Sequence, residues 1–130
     1  MKNQLDALTE QIIAAAIDVH RELGPGMLES GYDAAMAFEL LERGLAFERQ
    51  KALPVTYRGH RLECGYRIDF LVAGVVIVEL KAVERLEPVH IAQVISYLRL
   101  SGCSVGLLIN FNVKWLRDGG LKRIVNGFPG

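Results

Sequence analysis

The feature that most restricts the fold of this chain is a pair of short apolar runs that carry acidic residues. The first run spans residues 68–72 and is interrupted by Asp69; the second spans residues 75–81 and ends in Glu79-Leu80-Lys81. Both runs are rich in β-branched residues and too short for helices, so they predict two buried strands joined by a tight turn. A buried carboxylate is costly unless a partner compensates its charge, so these acids require an explanation.

The register between the two predicted strands decides whether their acids meet. Glu79 and Lys81 are two residues apart, so their side chains leave the same face of a strand. A two-residue turn at Ala73-Gly74 would place Asp69 opposite Val78, facing away from Glu79. A three-residue connection or a bulge would place the two acids opposite each other. We expect the longer connection if the two acids act together.

Two adjacent carboxylates predict a metal site. They repel each other by about 4 kcal/mol at roughly 4 Å and an effective dielectric constant near 20. A divalent cation removes that repulsion, and Mg²⁺ and Mn²⁺ prefer carboxylate oxygens. Lys81, beside such a metal, can orient a water or stabilise charge developing on a phosphate. The alternative is an internal salt bridge from Lys81 to Asp69 or Glu79 with a structural role.

The rest of the chain predicts an α/β fold. Helical spacing over residues 4–23 stops at Gly24-Pro25-Gly26, and a second helix is predicted over residues 28–43 with Gly44 at its end. A third helix is predicted over residues 89–100, and Pro88 suits its first turn. The remaining predicted elements are strands over residues 45–50, 53–57 and 61–64, a buried central strand over 103–111, and a loop with a short strand within 116–128.

These elements predict one domain over residues 1–130 with a mixed sheet. The core order is two helices, four strands, a helix and a strand (α-α-β-β-β-β-α-β), in which the strands before the third helix form a meander. The sheet should be antiparallel where hairpins join its strands and parallel where the third helix crosses over.

Composition favours a soluble globular protein, with 51% apolar and 23% charged residues. No apolar run approaches the roughly 18 residues of a membrane helix, and the N-terminus is too polar for a secretory signal. Cys64 and Cys103 are far apart and form no CxxC pair. We expect both to be reduced, to pack as small apolar residues, and to indicate a cytoplasmic protein.

The net charge is zero, but the charge is unevenly distributed. Residues 1–50 hold nine acids against four bases, and residues 51–130 hold eleven bases against six acids. This split is compatible with a basic face turned toward phosphates. It is equally what two mutually attracting halves of one protein would show, and the charges alone favour neither interpretation strongly.

Several motifs resemble known nucleases. Asp69, followed ten residues later by Glu79-Leu80-Lys81, resembles the signature of the PD-(D/E)XK nuclease superfamily. More narrowly, Gly26-Met27-Leu28-Glu29-Ser30-Gly31-Tyr32 is similar to the motif of the GxxExxY proteins. Three further stretches, residues 48–50, 78–83 and 106–111, also resemble that family. The resemblance covers roughly residues 8 to 112, with the motifs in the expected order.

The resemblance implies a fold and a metal. The fold is a restriction-endonuclease-like α/β core, a mixed β-sheet flanked by helices, with the active site in the hairpin. Asp69, Glu79 and the Leu80 carbonyl would bind Mg²⁺ or Mn²⁺, with Glu29 assisting from the helix before the sheet. Taken without the resemblance, Glu29 is better explained as a solvated glutamate in the first turn of a helix, where the helix dipole favours it.

The resemblance also implies roles for three other residues. Lys81 would position the attacking water. Gln93 and Tyr97 are four residues apart on the third helix and so share a face. Their spacing is similar to the helix motif of the RecB-like branch, where the pair lies beside the metal site. Their residue types alone would suggest a core Tyr97 and a surface Gln93.

Three functional hypotheses follow from these residues. The first is a metal-dependent nuclease acting on nucleic acid, with DNA favoured over RNA. The second is a catalytically weak or inactive nuclease-fold module that binds nucleic acid or serves in an assembly. The third is a structural homo-oligomer that associates through the apolar stripe of the first helix. Trp115, beside Lys114 and Arg117, is expected to pack the C-terminal segment, with stacking on a base as the alternative.

Overall fold

The computed structural model describes residues 2–126 and contains one five-stranded sheet between helices. The strands of this sheet lie in the order β1-β4-β5-β6-β7, and β2 and β3 form a separate two-stranded sheet. The elements are α1 (Lys2–Leu23), α2 (Glu29–Glu42), β1 (Phe47–Ala52), β2 (Val55–Tyr57), β3 (His60–Leu62), β4 (Arg67–Val72), β5 (Val76–Lys81), α3 (Pro88–Ser101), β6 (Val105–Asn110) and β7 (Leu121–Val125).

The mixed sheet confirms the predicted fold class. Strands β5 and β6 run parallel because α3 crosses between them, and the other neighbours in the five-stranded sheet are antiparallel. The meander is wrong, however, because β1 pairs directly with β4. Strands β2 and β3 form a largely exposed ribbon, which has too little apolar surface to join the sheet. With the two strands of the ribbon included, five strands precede α3 and two follow it.

The three helices begin and end close to the predicted positions. Gly24 and Gly44 adopt the αL conformation, with φ of 67° and 70°, and this conformation ends the helical geometry after α1 and α2. Pro88 occupies the first turn of α3. His90 lies in that turn and accepts a hydrogen bond from the backbone N–H of Glu87 at 2.8 Å through Nδ1. This histidine therefore caps the helix.

Two apolar layers cover the sheet. Helices α1 and α2 pack on one face, and the stripe of α1 that includes Ile12, Ala15 and Ala16 is fully buried there. That stripe is consequently not free to form the expected oligomer interface. Helix α3 packs on the other face. A Cβ at Gly106 would lie 2.7 Å from the Val94 side chain, so this glycine lets α3 sit close against β6.

The hairpin between β4 and β5 has the predicted longer connection. Val72 pairs with Val76 and Phe70 with Val78, which leaves three residues, 73–75, in the turn. Ala73 and Gly74 adopt positive φ angles of 53° and 71°. Val75 was expected to begin the second strand, but it lies in this turn and is exposed. The register places Asp69 on the same cross-strand row as Glu79.

The expectations for two side chains are wrong, and part of the predicted C-terminal tail is not described by the structure. Cys64 is exposed in the loop after β3, not packed as an apolar residue. Trp115 leaves 65% of its surface exposed and does not pack the C-terminal segment. The short final strand exists as β7, whereas residues 127 and 128 of the predicted tail lie outside the described residues. Across residues 2–126, none of the helices combines the length and hydropathy needed to cross a bilayer.

Candidate active site

Strands β4 and β5 separate at the two acidic positions of the motif, Asp69 and Glu79. The two strands pair with each other only as far as Phe70 and Val78. Beyond that point β4 continues its pairing with β1, while Glu79 continues the pairing of β5 with β6. We call this separation the fork. Both acids lie at its mouth, where the backbone ladder between the two strands has ended.

Side chains replace the missing backbone ladder in the fork. The backbone N–H of Asp69 donates to Oε2 of Glu79 at 2.7 Å, and the backbone N–H of Leu80 donates to Oδ2 of Asp69 at 2.8 Å. Each carboxylate is therefore held by the backbone of the opposite strand. Such hydrogen bonds become stronger when the accepting carboxylate is ionised.

Burial and mutual repulsion make the fork a poor place for two negative charges. Glu79 is 4% exposed. Burial, followed by the charge of Asp69, raises the pKa of Glu79 to about 8, although the Asp69 N–H and Lys81 oppose that rise. Burial also raises the pKa of Asp69, against the lowering effect of the hydrogen bonds from Leu80 and Gln50. A cation bound here would relieve both effects.

Lys81 supplies positive charge to the fork without an ion pair. It is half-buried and lowers the pKa of the Glu29, Asp69 and Glu79 carboxyls. Among the ion pairs formed within residues 2–126, none joins Lys81 to Asp69 or Glu79. The structural salt bridge considered from the sequence is therefore not the arrangement found. The ammonium group remains available to other ligands.

Glu29 faces the fork from the first turn of α2. It shares a shallow cleft of about 260 Å³ with Asp69 and Gln50. The pKa of Glu29 is raised, first by partial removal from solvent and then by the charge of Asp69, while Lys81 lowers it. Glu29 therefore shares a cleft with Asp69 and interacts electrostatically with both fork acids, while its role beside a metal stays a prediction.

Gln93 and Tyr97 approach the fork from α3. The Gln93 amide donates to the Tyr97 hydroxyl at 3.3 Å, so the two side chains share one face of the helix. Tyr97 is 6% exposed, as its residue type suggested. Burial raises the pKa of its hydroxyl, and the charges of Glu79 and Asp69 raise it further. Tyr97 therefore lies within the electrostatic reach of both acids.

Gln50 lies at the site, although the sequence assigned it no role beyond its place in the stretch 48–50 that resembles the GxxExxY family. Its neighbours in β1 pair with Phe70 and Ile68, which places Gln50 beside Asp69. The Gln50 amide donates to Oδ1 of Asp69 at 3.3 Å and lies 3.4 Å from Asp33. Its φ is 53°, a conformation that costs a non-glycine residue on the order of 1 kcal/mol or more. No sequence signal marks such a strained residue within an alternating strand.

Asn110 is a second residue that was missed, and it fixes the frame around the site. This fully buried amide accepts from the Val83 N–H at 3.0 Å and donates to the Val83 carbonyl at 2.9 Å. Nearby, Asn112 accepts from the Gly26 N–H at 3.1 Å. The segments that follow β5 and β6 and the loop between α1 and α2 are thereby joined. An asparagine at the end of an apolar run was the available signal.

The oxygen atoms of the fork suit a hard divalent cation. Within residues 2–126, no three His, Cys, Asp or Glu side chains are already gathered as a metal cluster. The candidate ligands are instead the carboxylates of Asp69 and Glu79 and the carbonyl of Leu80. Mg²⁺ is commonly held by one or two carboxylates with waters completing its shell, so this smaller set fits the ion.

Comparison with known proteins agrees with this geometry. A family model described as the PD-(D/E)XK nuclease superfamily matches residues 6–124. No curated protein and no solved structure gave a significant match. The family match spans both helical layers, the whole five-stranded sheet except its last residue, and every residue of the fork. The chain belongs to the PD-(D/E)XK nuclease superfamily.

Proposed function

We propose that this protein is a Mg²⁺- or Mn²⁺-dependent nuclease that hydrolyses phosphodiester bonds, with residues 1–130 acting as one domain. The observation that carries the proposal is the pair of backbone-to-carboxylate hydrogen bonds across the fork, from the Asp69 N–H to Glu79 and from the Leu80 N–H to Asp69. The ladder between β4 and β5 ends there, and the two carboxylates take the place of the missing backbone partners. Lys81 adds a positive charge that lowers the pKa of both carboxyls, and the carboxylate oxygens are ligands that a divalent cation prefers.

The metal would be held by Asp69, Glu79 and the Leu80 carbonyl, with Glu29 acting through a water. The raised pKa values of the three carboxyls support this assignment, because a divalent cation offsets the burial and repulsion that raise them. When bound, the cation would supply Lewis-acid stabilisation of charge on the phosphate. Glu29 is exposed and stands at a helix N-terminus, which suits a carboxylate that contacts the ion indirectly.

Lys81 would donate N–H groups to the attacking water and to the phosphate. Its half-buried position and lack of an acidic partner in the described part of the chain support this role. Gln93 and Tyr97 would flank the reacting phosphate from α3, where their mutual hydrogen bond fixes both polar groups. Donors held in place before the reaction stabilise developing charge without reorganising.

The substrate we propose is nucleic acid, with DNA favoured over RNA, and the place of action is the cytoplasm. Membership of the superfamily supports a nucleic-acid substrate. The match of Gly26 to Tyr32 with the GxxExxY motif supports assignment to that narrower family. In the structure this motif forms the turn that leads into α2 and presents Glu29 to the fork.

Incubation of the purified protein with Mn²⁺ and plasmid or single-stranded DNA tests the proposal. We expect nicking or degradation that EDTA abolishes and that Glu79→Gln and Lys81→Ala reduce by about 100-fold or more. Lys122→Ala, a matched change of an exposed lysine on β7, should leave the rate unchanged. Undiminished cleavage by both fork variants would refute the assignment.

Calorimetric titration with Mn²⁺ separates the nuclease from an inactive nuclease-fold module. We expect the wild-type protein to bind the ion and Asp69→Asn to bind it much more weakly, because the variant lacks one of the two charged ligands. Circular dichroism of each variant serves as the folding control. A folded wild-type protein that takes up no Mn²⁺ would favour the module without catalysis.

A further inference from the structure

A second concave site lies at the end of α1 and differs in composition from the cleft at the candidate active site. It is a cavity of about 450 Å³ between the end of α1, Gly24-Pro25 and the loop after β6. We call it the Trp115 pocket. Its polar and aromatic lining consists of His20, Arg21, Lys114, Trp115 and Arg117. A cavity of this volume is large enough for one small organic ligand.

The charge of the Trp115 pocket is positive. Arg21, Lys114 and Arg117 line it, and no acidic side chain does. In residues 2–126 neither Lys114 nor Arg117 takes part in an ion pair, and Arg21 reaches Asp18 only at 3.9 Å. The basic surplus of the second half of the chain is thus partly concentrated here.

A well-held loop presents the indole ring of Trp115. The ring is 65% exposed, and the Lys114 ammonium lies 5.8 Å from its centroid. The next residue, Leu116, is 4% exposed and anchors the loop in the core. The Trp115 carbonyl accepts from the Asp118 N–H at 2.9 Å. An exposed indole on an anchored loop with cations around it is suited to stacking on a flat ligand.

The pocket is joined to the fork through the loop between α1 and α2. Gly24 lines the pocket, and its carbonyl accepts from the Tyr32 hydroxyl at 2.6 Å. The same hydroxyl accepts from the Met27 N–H at 3.1 Å, which fixes the turn that ends at Glu29. On the other wall, the buried ring of His20 lies 2.7 Å from the Val113 carbonyl. The loop between α1 and α2 therefore connects one wall of the pocket to the turn that carries Glu29.

We infer that the Trp115 pocket binds one nucleotide of a single-stranded nucleic acid, with the base stacked on Trp115 and the adjacent phosphates paired with Lys114 and Arg117. Stacking requires an unpaired base with a free face, so single strands fit and intact duplexes do not. Its use as a substrate subsite rests on the proposed function, but the binding itself does not. The site would hold the strand while a phosphate further along it enters the fork.

The chain provides its own probe, because Trp115 is its single tryptophan. Metal-free protein is titrated with an oligothymidylate of about eight nucleotides, within the site sizes typical of single-strand binding. We expect the oligonucleotide to quench the indole fluorescence, and fluorescence anisotropy of a labelled strand to give the affinity. Trp115→Ala should weaken binding by roughly tenfold or more, whereas Trp115→Phe, which keeps an aromatic face, should retain most of the affinity.

Two further measurements distinguish the contribution of charge to strand binding from the contribution of stacking. Replacing Lys114 and Arg117 by alanine should reduce the slope of log affinity against log salt by roughly 0.7 for each phosphate that the variant no longer neutralises. An oligonucleotide with abasic residues keeps the phosphates and lacks the bases, so it should bind weakly and quench little. An abasic strand that binds as tightly as the oligothymidylate would contradict stacking on Trp115.

Tyr57 and Arg58 offer a matched control elsewhere on the molecule. The Arg58 guanidinium lies 5.8 Å from the centroid of the Tyr57 ring, and that ring is 59% exposed. The pair lines neither the Trp115 pocket nor the cleft at the fork. Tyr57→Ala should leave the affinity unchanged. Equal reductions in affinity for Tyr57→Ala and Trp115→Ala, or unaltered affinity in folded Trp115→Ala, would overturn the inference.

Failure of the inference about the pocket can be distinguished from failure of the proposed nuclease function. Strand binding that depends on Trp115 in a protein without Mn²⁺-dependent cleavage would support the pocket and refute the nuclease. Cleavage with an unchanged KM, together with an unchanged affinity for the strand, in Trp115→Ala would support the nuclease and refute the pocket.

Discussion

The fork and the Trp115 pocket hold opposite charges in opposite settings. The fork places acids inside the sheet, where Glu79 is almost fully buried and the backbone of two strands fixes both carboxylates. The pocket places cations and an indole on the surface, carried by a loop. The difference indicates a division of labour, in which the chemistry needs a rigid, costly frame and strand binding needs only exposed groups at a suitable distance.

The arrangement at the fork is energetically unfavourable both for its acids and for a neighbouring residue. The pKa of Glu79 is raised to about 8, and Gln50 adopts a strained φ of 53° to reach Asp69. Strain and perturbed pKa values of this kind concentrate at functional sites. None of the described non-glycine residues that line the pocket adopts a positive φ, so substitutions there should be tolerated far better.

The largest expected difference between the two regions concerns catalysis. Asp69→Asn should lower kcat by about 100-fold or more, because it removes a charged ligand of the proposed metal. Trp115→Ala should leave kcat nearly unchanged and raise KM by roughly tenfold, because it removes binding to a part of the strand remote from the reacting phosphate. Steady-state kinetics with a single-stranded substrate measures both. A large fall in kcat in both variants would mean that the two regions are one site.

The next effect concerns stability against pH. Glu79 takes up its proton near pH 8 in the folded protein but near its ordinary value of 4.5 in the unfolded chain. Its contribution to stability is therefore fully present below the unfolded value and is lost as the pH rises toward the folded one. In EDTA, Glu79→Gln should stabilise the protein by a few kcal/mol at about pH 9 and by little at about pH 4.

Urea denaturation at those two pH values checks this prediction. Trp115→Phe serves as the control from the other region and should show no pH-dependent difference from the wild type. A Glu79→Gln variant that is less stable than the wild type at the higher pH would contradict the burial of an unfavourable charge in the fork.

A smaller effect is expected at Gln50. Gln50→Gly relieves the positive φ while Gln50→Ala does not, so the glycine variant should be more stable than the alanine variant by about 1 kcal/mol. Both variants lack the hydrogen bond that lowers the pKa of Asp69, so the acidic limb of the pH–rate profile should move to higher pH. Thermal melts and rate profiles test these points. An unshifted profile would show that Gln50 does not act on Asp69.

The smallest effect is expected for a single cation of the pocket. Arg117→Ala should change the free energy of unfolding by less than about 0.5 kcal/mol, since Arg117 is exposed and forms no ion pair within the described residues. A decrease in stability of more than about 1 kcal/mol, measured by urea denaturation, would show that the loop after β6 depends on this side chain and that the pocket, like the fork, is coupled to the core.

The sequence predicted the parts of the fold that depend on periodicity. The three helices and the buried strand β6 follow from apolar spacing. The register of the hairpin does not, because the longer connection was expected only on the condition that the two acids act together. Separation of β2 and β3 from the sheet could not be predicted this way. Alternation indicates a strand without indicating its partner, and only the exposed ribbon in the structure resolves that question.

The sequence predicted the charged residues of the site better than the uncharged residues around them. Asp69, Glu79 and Lys81 stood out because charge interrupted apolar runs, but their roles in catalysis stay predictions. Gln50 was overlooked because a positive φ in a non-glycine residue leaves no mark in the sequence. Trp115 was expected to pack because large aromatic residues usually do, and its exposure depends on how the anchored loop is oriented.

The exchange of hydrogen bonds across the fork also gives the site its own spectroscopic reporters. The backbone amides of Asp69 and Leu80 are protected by carboxylates and not by a neighbouring strand. Any ligand that draws those carboxylates toward itself lengthens the two hydrogen bonds and alters the chemical shifts and exchange rates of two amide protons. Occupancy of the fork can thus be followed residue by residue in solution, before any bond in a substrate is broken.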